Sequence, residues 1–371
     1  MARIDLDLAH SYRAHPAADE DYALLPLRFT FEDGGAYALL GPSGCGKTTL
    51  LNCISGLLQP SQGKVLFDGR DVTRDTPQQR NIAQVFQFPV IYDTMTVGEN
   101  LAFPLRNRRI PAQQIRARVG RVAEMLELSA VLDRQASGLS ADAKQKISLG
   151  RGLVRQDVSA ILFDEPLTVI DPHLKWQLRR KLKEIHREFR LTLIYVTHDQ
   201  TEALTFAEQV LVMSRGKAVQ AGTADALFER PAHTFVGHFI GSPGMNFLAG
   251  RWRDGFIEAA GRRYAPPADA ALAARLQAAG TFTIGVRPEY VGLAAPDDPQ
   301  AVPVTIDRVQ DVGTYWLATA RPAHVESADG ASSLLRARLG DQAVTLRAGE
   351  PAWFSLFHRH TCYYVNEELV S

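Results

Sequence analysis

The hydrophobic positions of the first 240 residues change between strand-like and helix-like spacing. Residues 4–8 alternate as in a strand, and residues 37–40 form a short apolar run that stops at Gly41, the pattern of a buried strand followed by a turn. From Leu50 to Leu58 the apolar residues recur at helical spacing. The pattern predicts a strand, a glycine-rich loop and a helix that begins near Lys47.

A helical segment and a further pair of strands follow. Helical spacing, with Ser140 as a predicted N-cap, covers residues 97–105, 110–128 and 140–154. Residues 160–163 and 191–196 are continuous apolar runs separated by an amphipathic helical stretch over 174–189. This is the pattern of a parallel β-α-β unit, so we expect two neighbouring central strands.

The pattern changes after Phe239, where a turn-forming cluster at residues 241–244 predicts a linker. Short alternating stretches separated by Gly, Pro and Asp cover residues 281–286, 302–309, 334–339 and 352–357. With one helix at residues 268–279, they predict a small β-barrel. The expected organisation is an α/β domain over residues 1–240 and a barrel domain over residues 241–371.

Composition and charge restrict the function. Lysine plus arginine equals aspartate plus glutamate at 41 each, so the chain as a whole has no electrostatic reason to bind nucleic acid. The three cysteines, Cys45, Cys53 and Cys362, lack metal-ligand or redox spacing, which is typical of a reducing compartment. Charges within residues 1–8 argue against a signal peptide, and no eighteen apolar residues run together. We expect a cytosolic chain whose membrane role requires a partner.

Residues 41–48 fit the phosphate-binding loop pattern in its strand-to-helix context. Its glycines let backbone N–H groups converge on phosphate oxygens, and the positive end of the following helix adds to their attraction. Lys47 should reach the β and γ phosphates, and the Thr48 hydroxyl can ligate magnesium. We expect Cys45 to be a small loop residue and not a redox switch. The candidate ATP-binding residues of this segment are Ser43, Gly44, Cys45, Gly46, Lys47, Thr48 and Thr49.

Two carboxylates, Asp164 and Glu165, end the predicted strand at 160–163, where open α/β sheets bind ligands. A structural pair is the alternative, but a phosphate loop needs a magnesium carboxylate. We assign Asp164 to the metal and Glu165 to polarising the attacking water. His198 ends the next predicted strand, so parallel pairing would bring it near Glu165 and the γ-phosphate.

With these parts in this order, the first 240 or so residues resemble the ATP-binding subunit of ABC transporters. The resemblance implies a P-loop NTPase cassette with a RecA-like core and a helical subdomain near residues 88–157. Gln87 matches the family's glutamine loop, which implies contact with magnesium or the attacking water and coupling to the membrane subunits. Asp171, in Val169-Ile170-Asp171, matches the aspartate loop at the dimer interface, and His198 matches the switch histidine that senses the γ-phosphate.

An aromatic residue usually stacks on adenine in this family, and Tyr12 lies at the matching position. Tyr22 is its rival, and packing alone would explain either residue. Resemblance also extends beyond the cassette. Residues 284–289 match a recurring segment in the C-terminal OB-like barrel of the carbohydrate importers of maltose type. Three segments resemble the glycerol or glycerol 3-phosphate importers within that group, at residues 33–37, 87–92 and 164–172.

The resemblance implies ATP and Mg²⁺ as ligands and a place at the cytoplasmic face of the inner membrane. The implied partners are a second ABC ATPase subunit, two transmembrane permease subunits and, indirectly, an extracytoplasmic solute-binding protein. Residues 88–92, an apolar cluster after Gln87, are the candidate docking site for the permeases, with core packing as the alternative. Six arginines between residues 106 and 121 are interpreted first as a solvated face, with a contact to lipid headgroups or membrane subunits as the alternative. The barrel would be regulatory or would hold the dimer together.

One family motif is broken. Where ABC subunits carry Leu-Ser-Gly-Gly-Gln, the chain reads Leu139-Ser140-Ala141-Asp142-Ala143. Ser140 and Asp142 suit a helix N-terminus on structural grounds alone. In the family, however, this helix end points at the γ-phosphate of the opposite subunit, and two unit charges about 5 Å apart repel by roughly 3 kcal/mol at an effective dielectric of about 20. Asp142 must turn outward, or the nucleotide site that this helix end faces is weak. We hypothesise a heterodimer with a non-identical sister subunit, with a homodimer as the alternative.

Two other classes of protein fit less well. A soluble ABC switch in nucleic-acid or ribosome handling would lack membrane partners, and the balanced charge and the C-terminal domain argue against it. A P-loop kinase would need an acceptor pocket and has no use for Gln87, Ser140 and His198 in this order.

Overall fold

The computed structural model describes residues 1–155, 157–168, 170–323, 334–340, 343 and 345–370. The backbone divides into two compact units, Met1–Ala224 and Asp225–Ser371. The boundary expected after residue 240 stays a prediction. No helix in the described part of the chain has both the length and the apolar character needed to span a bilayer.

The described residues of the first unit form ten strands. They are β1 (Ile4–His10), β2 (Leu24–Phe31), β3 (Ala36–Leu40), β4 (Gln62–Phe67), β5 (Arg70–Asp71), β6 (Ile82–Val85), β7 (Ala160–Asp164), β8 (Leu193–Thr197), β9 (Gln209–Ser214) and β10 (Lys217–Gly222). Strands β9, β3, β8, β7 and β6 pair in parallel in this order, and β10 joins β9 antiparallel. The predicted parallel unit of β7 and β8 is present, with β8 lying between β7 and β3.

The first five helices of this unit follow the predicted spacing, whereas the sixth was not predicted. They are α1 (Lys47–Ser55), α2 (Val97–Arg106), α3 (Ala112–Met125), α4 (Ala141–Leu153), α5 (Pro172–Phe189) and α6 (Gln200–Phe206). Helix α2 begins with a capping box, because Glu99 N–H donates to Thr96 Oγ1 at 3.1 Å and Thr96 N–H donates to Glu99 Oε2 at 2.9 Å. Helices α2, α3 and α4 form the predicted helical insert.

Two apolar cores lie on the two faces of the parallel sheet. One contains residues of the helical insert and of α5, and the other contains residues of α1 and of a second, antiparallel sheet. Every residue of β3 and β8 is buried. This explains why these strands are continuous apolar runs in the sequence instead of alternating ones.

The second sheet has the strand order β2–β1–β4–β5. Tyr12 lies two residues after the end of β1. In the register, Leu8 lies opposite both Leu27 and Gly63. Gly63 has a φ of +83°, and a Cβ atom there would lie 2.0 Å from the carbonyl oxygen of Asp7. The close approach of β4 to β1 therefore requires glycine at this position.

The second unit is built mainly from antiparallel strands. These are β11 (Asn246–Arg253), β12 (Phe256–Ala259), β13 (Arg262–Tyr264), β14 (Thr281–Val286), β15 (Gly292–Leu293), β16 (Ala301–Asp311), β17 (Trp316–Pro322), β18 (Leu335–Leu339), β19 (Pro351–Ser355), β20 (Cys362–Val365) and β21 (Glu368–Val370). Its helices are α7 (Ala224–Glu229), which starts at the division between the units, α8 (Thr234–Phe239) and α9 (Ala270–Ala279). The sheets β13–β12–β11–β14–β20–β21 and β15–β19–β16–β17–β18 enclose one apolar core.

Arg287 joins β14 to the two short helices α7 and α8. Its side chain is 1% exposed and lies 4.0 Å over the ring of Phe228. The guanidinium donates to backbone carbonyls of Leu227, Phe228, Gly237 and Ile240. These carbonyls belong to the helices or directly follow them, so Arg287 satisfies acceptors that helix ends leave without partners.

We predict that Arg287→Met lowers the free energy of unfolding of the second unit by about 3 kcal/mol, because buried carbonyls lose a charged donor. Three of the four tryptophans, Trp252, Trp316 and Trp353, lie in this unit, so tryptophan fluorescence during urea unfolding of the whole chain measures it once Trp176 of the first unit is replaced by Phe. As a control, Arg253→Met removes a side chain that is 66% exposed and pairs with Glu258 at 3.8 Å, and should change the stability by less than about 0.5 kcal/mol. Equal effects of the two substitutions would contradict this role of Arg287.

Candidate functional site

The glycine-rich loop joins β3 to α1. Gly44 and Gly46 have φ values of +78° and +103°, and a Cβ atom on Gly46 would lie 2.5 Å from the carbonyl oxygen of Ala23. The ammonium of Lys47 donates to the carbonyls of Gly41 at 2.7 Å and Pro42 at 2.9 Å. The loop therefore curves around the side chain of Lys47, as expected of a phosphate-binding loop.

Cys45 is buried in this loop, with its Sγ 3.9 Å from the Nζ atom of Lys47. Burial raises the pKa of the Cys45 thiol, while the nearby charge of Lys47 lowers it. A thiol with a raised pKa is protonated at neutral pH and reacts slowly. The geometry agrees with the interpretation of Cys45 as a small packing residue.

Asp164 ends β7 beside the start of α1. The Thr48 hydroxyl donates to Asp164 Oδ1 at 3.2 Å, across 116 residues of sequence. Burial raises the pKa of Asp164, the hydrogen bond from Thr48 lowers it, the charge of Glu165 raises it and that of Lys47 lowers it. The proposed metal carboxylate and the proposed metal hydroxyl are thus direct neighbours.

Glu165 and His198 also meet at this edge of the sheet. The Nδ1 atom of His198 lies 3.1 Å from Glu165 Oε2. This follows from the register, because Asp164 pairs with Val196 and the next residues of β7 and β8 leave the sheet together. Glu165 has a φ of +47°, in the left-handed region, and its N–H donates to the carbonyl of Val196 at 3.0 Å. The sharp turn at Glu165 is therefore held by the neighbouring strand.

Gln87 lies two residues after β6 and is half-buried. Because Val85 pairs in parallel with Phe163, the chain leaves β6 at the same edge that carries Asp164. Asp171 precedes α5 and is exposed, and Val169 lies outside the described residues. The parallel sheet thus brings the phosphate loop, both acids, the glutamine loop and the histidine to one edge.

Tyr12 lies next to the phosphate-binding loop, whereas Tyr22 contacts a different residue. The Tyr12 side chain is 68% exposed, and its hydroxyl lies 3.2 Å from Thr49 Oγ1. The hydroxyl of Tyr22 accepts from Gln62 Nε2 at 3.2 Å. An exposed ring next to the loop is free to stack on a base, so the geometry favours Tyr12 as the adenine-binding candidate.

The altered signature segment begins α4. Ala143 N–H donates to Ser140 Oγ at 3.3 Å, which makes Ser140 the N-cap as predicted. Ala141 is exposed, whereas Asp142 is half-buried and its Oδ2 lies 3.9 Å from Lys146 Nζ. Both contacts join residues of α4 or its N-cap.

Sequence reasoning missed Gln145, whose side chain is fully buried next to this segment. Its Nε2 donates to the carbonyl of Pro166 at 2.6 Å and to that of Phe86 at 3.4 Å. The residue thus connects α4 to the turn after Glu165 and to the residue before Gln87. Its position in the signature helix was a signal, but carbonyl partners distant in sequence cannot be deduced from spacing.

Comparisons with known proteins agree with this geometry. The ABC transporter family matches residues 24–168, and the MalK OB fold domain matches residues 241–291. The sn-glycerol-3-phosphate import ATP-binding protein of Cereibacter sphaeroides is 42% identical over 308 residues, which cover 83% of this chain and 84% of that protein. The protein of the same name from Salmonella choleraesuis is 38% identical over 343 residues, covering 89% of this chain and 90% of its own.

Solved structures share the fold of the cassette. The structure of cbiO1 from Clostridium perfringens, part of the ABC transporter complex cbiONQ, has a TM-score of 0.55 at 26% identity and covers 62% of this chain and 90% of its own. A nucleotide-free ATP-binding cassette from an ABC transporter has a TM-score of 0.51 at 24% identity, covers 60% of this chain and 92% of its own, and supports the fold alone. Together with the family matches, they confirm the predicted cassette and OB-like barrel.

We predict that Asp164→Asn stabilises the first unit at pH 7 in the absence of nucleotide. A carboxyl group whose pKa is raised by folding binds more protons in the folded state, so its contribution to stability decreases as the pH rises above the unfolded pKa of 3.8. The neutral amide avoids this penalty, and its oxygen still accepts from Thr48. Thermal unfolding should show a midpoint higher by a few degrees at pH 7, with the difference shrinking towards pH 4.

The matched control is Asp7→Asn, which removes an exposed carboxylate paired with exposed Arg28 and should leave the midpoint unchanged. A lower midpoint for Asp164→Asn at pH 7 would contradict the assigned direction of the shift.

Proposed function

Because this chain belongs to the family of ATP-binding subunits of ABC importers, we propose that it binds and hydrolyses ATP to drive the import of sn-glycerol 3-phosphate. Its relatives with that substrate in their names are 38–42% identical over most of the chain. The observation that carries the proposal is the meeting of Thr48, Asp164, Glu165 and His198 at one sheet edge. A structural role for these residues would not require the phosphate-binding loop beside them.

In this proposal the loop holds the nucleotide. Lys47 and the backbone N–H groups of the loop bind the phosphates, and Tyr12 stacks on the adenine. Thr48, Gln87 and Asp164 would hold Mg²⁺, which supplies charge neutralisation on the phosphates. The oxygen donors of Thr48 and Asp164 lie 3.2 Å apart and suit this ion, which prefers few protein ligands together with phosphate oxygens.

Glu165 is the base that polarises the attacking water, and His198 braces the γ-phosphate. Their contact of 3.1 Å gives the carboxylate a fixed orientation, and the Thr168 hydroxyl donates to the carbonyl of Glu165 at 3.1 Å. Fixed donors and acceptors lower the barrier because they need no reorganisation when the water attacks.

We predict that Glu165→Gln leaves ATP binding intact and slows turnover by at least about a hundredfold, because the amide cannot accept the proton of the attacking water. Nucleotide affinity by equilibrium dialysis and steady-state phosphate release measure the two effects separately. Thr168→Val, which removes only the supporting hydroxyl, is the milder comparison. Unchanged hydrolysis by the glutamine variant would remove the catalytic assignment.

Partners complete the proposed motor. Two ATPase subunits sandwich two ATP molecules, with Ser140, Ala141, Asp142 and Asp171 at their interface. The charge of Asp142 supports a non-identical sister as the second subunit, and two permeases anchor the pair at the cytoplasmic face of the inner membrane. Phe88 and Val90 are 68% and 52% exposed, which supports residues 88–92 as their docking site. Residues 1–240 form the cassette in this proposal, and residues 241–371 a regulatory or dimerisation domain.

We predict that the tagged chain, isolated from solubilised membranes, carries two membrane proteins and an equal amount of a second ABC ATPase. ATP turnover by this complex in vesicles should rise with a solute-binding protein loaded with sn-glycerol 3-phosphate and stay basal with the same protein loaded with maltose. If only the maltose-loaded protein raises ATP turnover, the assignment of sn-glycerol 3-phosphate as the substrate is wrong. If the chain is isolated without membrane proteins, the proposed transport role is wrong.

A further inference from the structure

Three charged side chains meet beside the altered signature. The Nζ atom of Lys146 lies 3.9 Å from Asp142 Oδ2 and 3.4 Å from Glu127 Oε2. The side chain of Lys146 is 11% exposed, that of Asp142 is 26% exposed and that of Glu127 is 63% exposed. Since the ammonium is largely removed from water, its attraction for the two carboxylates is weakly screened.

The ion pair with Lys146 places the Asp142 carboxylate on one flank of α4. Residues four apart share one face of a helix, and an acid preceding a lysine by four is the favourable order. The carboxylate is therefore held on the flank of α4, while Ser140 provides the N-cap. The second oxygen of Asp142, Oδ1, is buried and has no hydrogen-bond partner among the described residues. Lys146 is thus the cation that compensates this carboxylate.

We propose that Lys146 is a positioning residue that makes Asp142 compatible with the nucleotide of the opposing subunit. The inference rests on the proposed function, because only in the ABC dimer does the start of α4 face that nucleotide. With Lys146 present, the ammonium offsets the charge of the Asp142 carboxylate and keeps the carboxylate to one side of the helix end. Without Lys146, a negative charge stands at the position where the opposing triphosphate must dock.

Lys144 provides a matched control on the same helix. Its ammonium pairs with Asp93 Oδ1 at 3.0 Å, and its side chain is 25% exposed. Residues two apart do not share a helix face, so Lys144 does not compensate Asp142. Lys144→Met therefore removes the same charge from the same helix without releasing the signature carboxylate.

The experiment uses the assembled transporter in vesicles and photolabelling with 8-azido-ATP, which marks the subunit whose phosphate loop holds the nucleotide. Lys146→Met should raise the nucleotide concentration for half-maximal labelling of the opposing subunit about tenfold. Labelling of this chain should change less than about twofold, because in the proposed dimer its own loop faces the signature of the opposing subunit. If the opposing subunit is a second copy of this chain, both subunits appear as one labelled band, and that band should show the whole shift.

Two further variants separate charge from folding. Asp142→Asn combined with Lys146→Met should restore labelling to within about twofold of the wild type, since the charge that needed compensation is gone. Lys146→Arg and Lys144→Met should both match the wild type. Thermal unfolding of each variant checks that the fold is retained.

The inference is overturned if Lys146→Met labels the opposing subunit as the wild type does, or if the double variant stays as weak as the single one. If the wild-type complex neither binds nor hydrolyses ATP, the proposed function fails together with this inference. If the wild type hydrolyses ATP and Lys146→Met equals it in labelling and turnover, the inference alone fails.

Discussion

A carboxylate that must stay charged at the end of a buried strand is the constraint on which the site depends. Burial raises the pKa of Asp164, so the fold has to supply compensating partners. It does so with the Thr48 hydroxyl and the charge of Lys47, both at the start of α1. These partners reach Asp164 although β8 lies between β3 and β7 in the sheet. The glycine-rich loop, which has positive φ values at Gly44 and Gly46, therefore brings Lys47 and Thr48 to Asp164 across the width of one strand.

Parallel pairing supplies the rest of the site. The pairing of Asp164 with Val196 places Glu165 and His198 directly after the ends of two neighbouring strands, and the left-handed turn at Glu165 lies where the two chains leave the sheet. A non-glycine residue in this region is strained, and it persists because the N–H of Glu165 is bonded to the carbonyl of Val196. The contact between Glu165 and His198 is thus a result of strand register and not of local sequence, since 33 residues separate them.

The sequence was most informative where elements are buried on both sides or are long. Strands β3, β7 and β8 and helices α2, α3 and α4 were predicted because their apolar patterns are continuous or sustained. Most of the antiparallel sheet around β1 was missed, because β2 contains Pro26 and three residues of β4, including Gly63, are exposed. The helices α7 and α8 have six residues each, too few for a helical period to be recognised.

Arg287 was noted as part of a family segment, but its partners are backbone carbonyls, which no side-chain pattern reveals. The four-residue spacing of Asp142 and Lys146 is enough to predict their pairing, whereas the approach of Glu127 to Lys146 depends on the tertiary fold.

Gln145 shows how the helical insert and the catalytic edge are joined. One buried amide donates to the carbonyl of Pro166, directly after Glu165, and to that of Phe86, directly before Gln87. The Oε1 atom of Gln145 is buried without a partner among the described residues. The two donor bonds are therefore the hydrogen bonds that hold this side chain in place. Breaking either bond leaves a polar group in a place from which water is excluded, at about 1–3 kcal/mol per group. A small rotation of α4 is therefore cheaper when Pro166 and Phe86 move with it. Gln145 therefore links the signature helix directly to the turn after Glu165 and to the residue before Gln87.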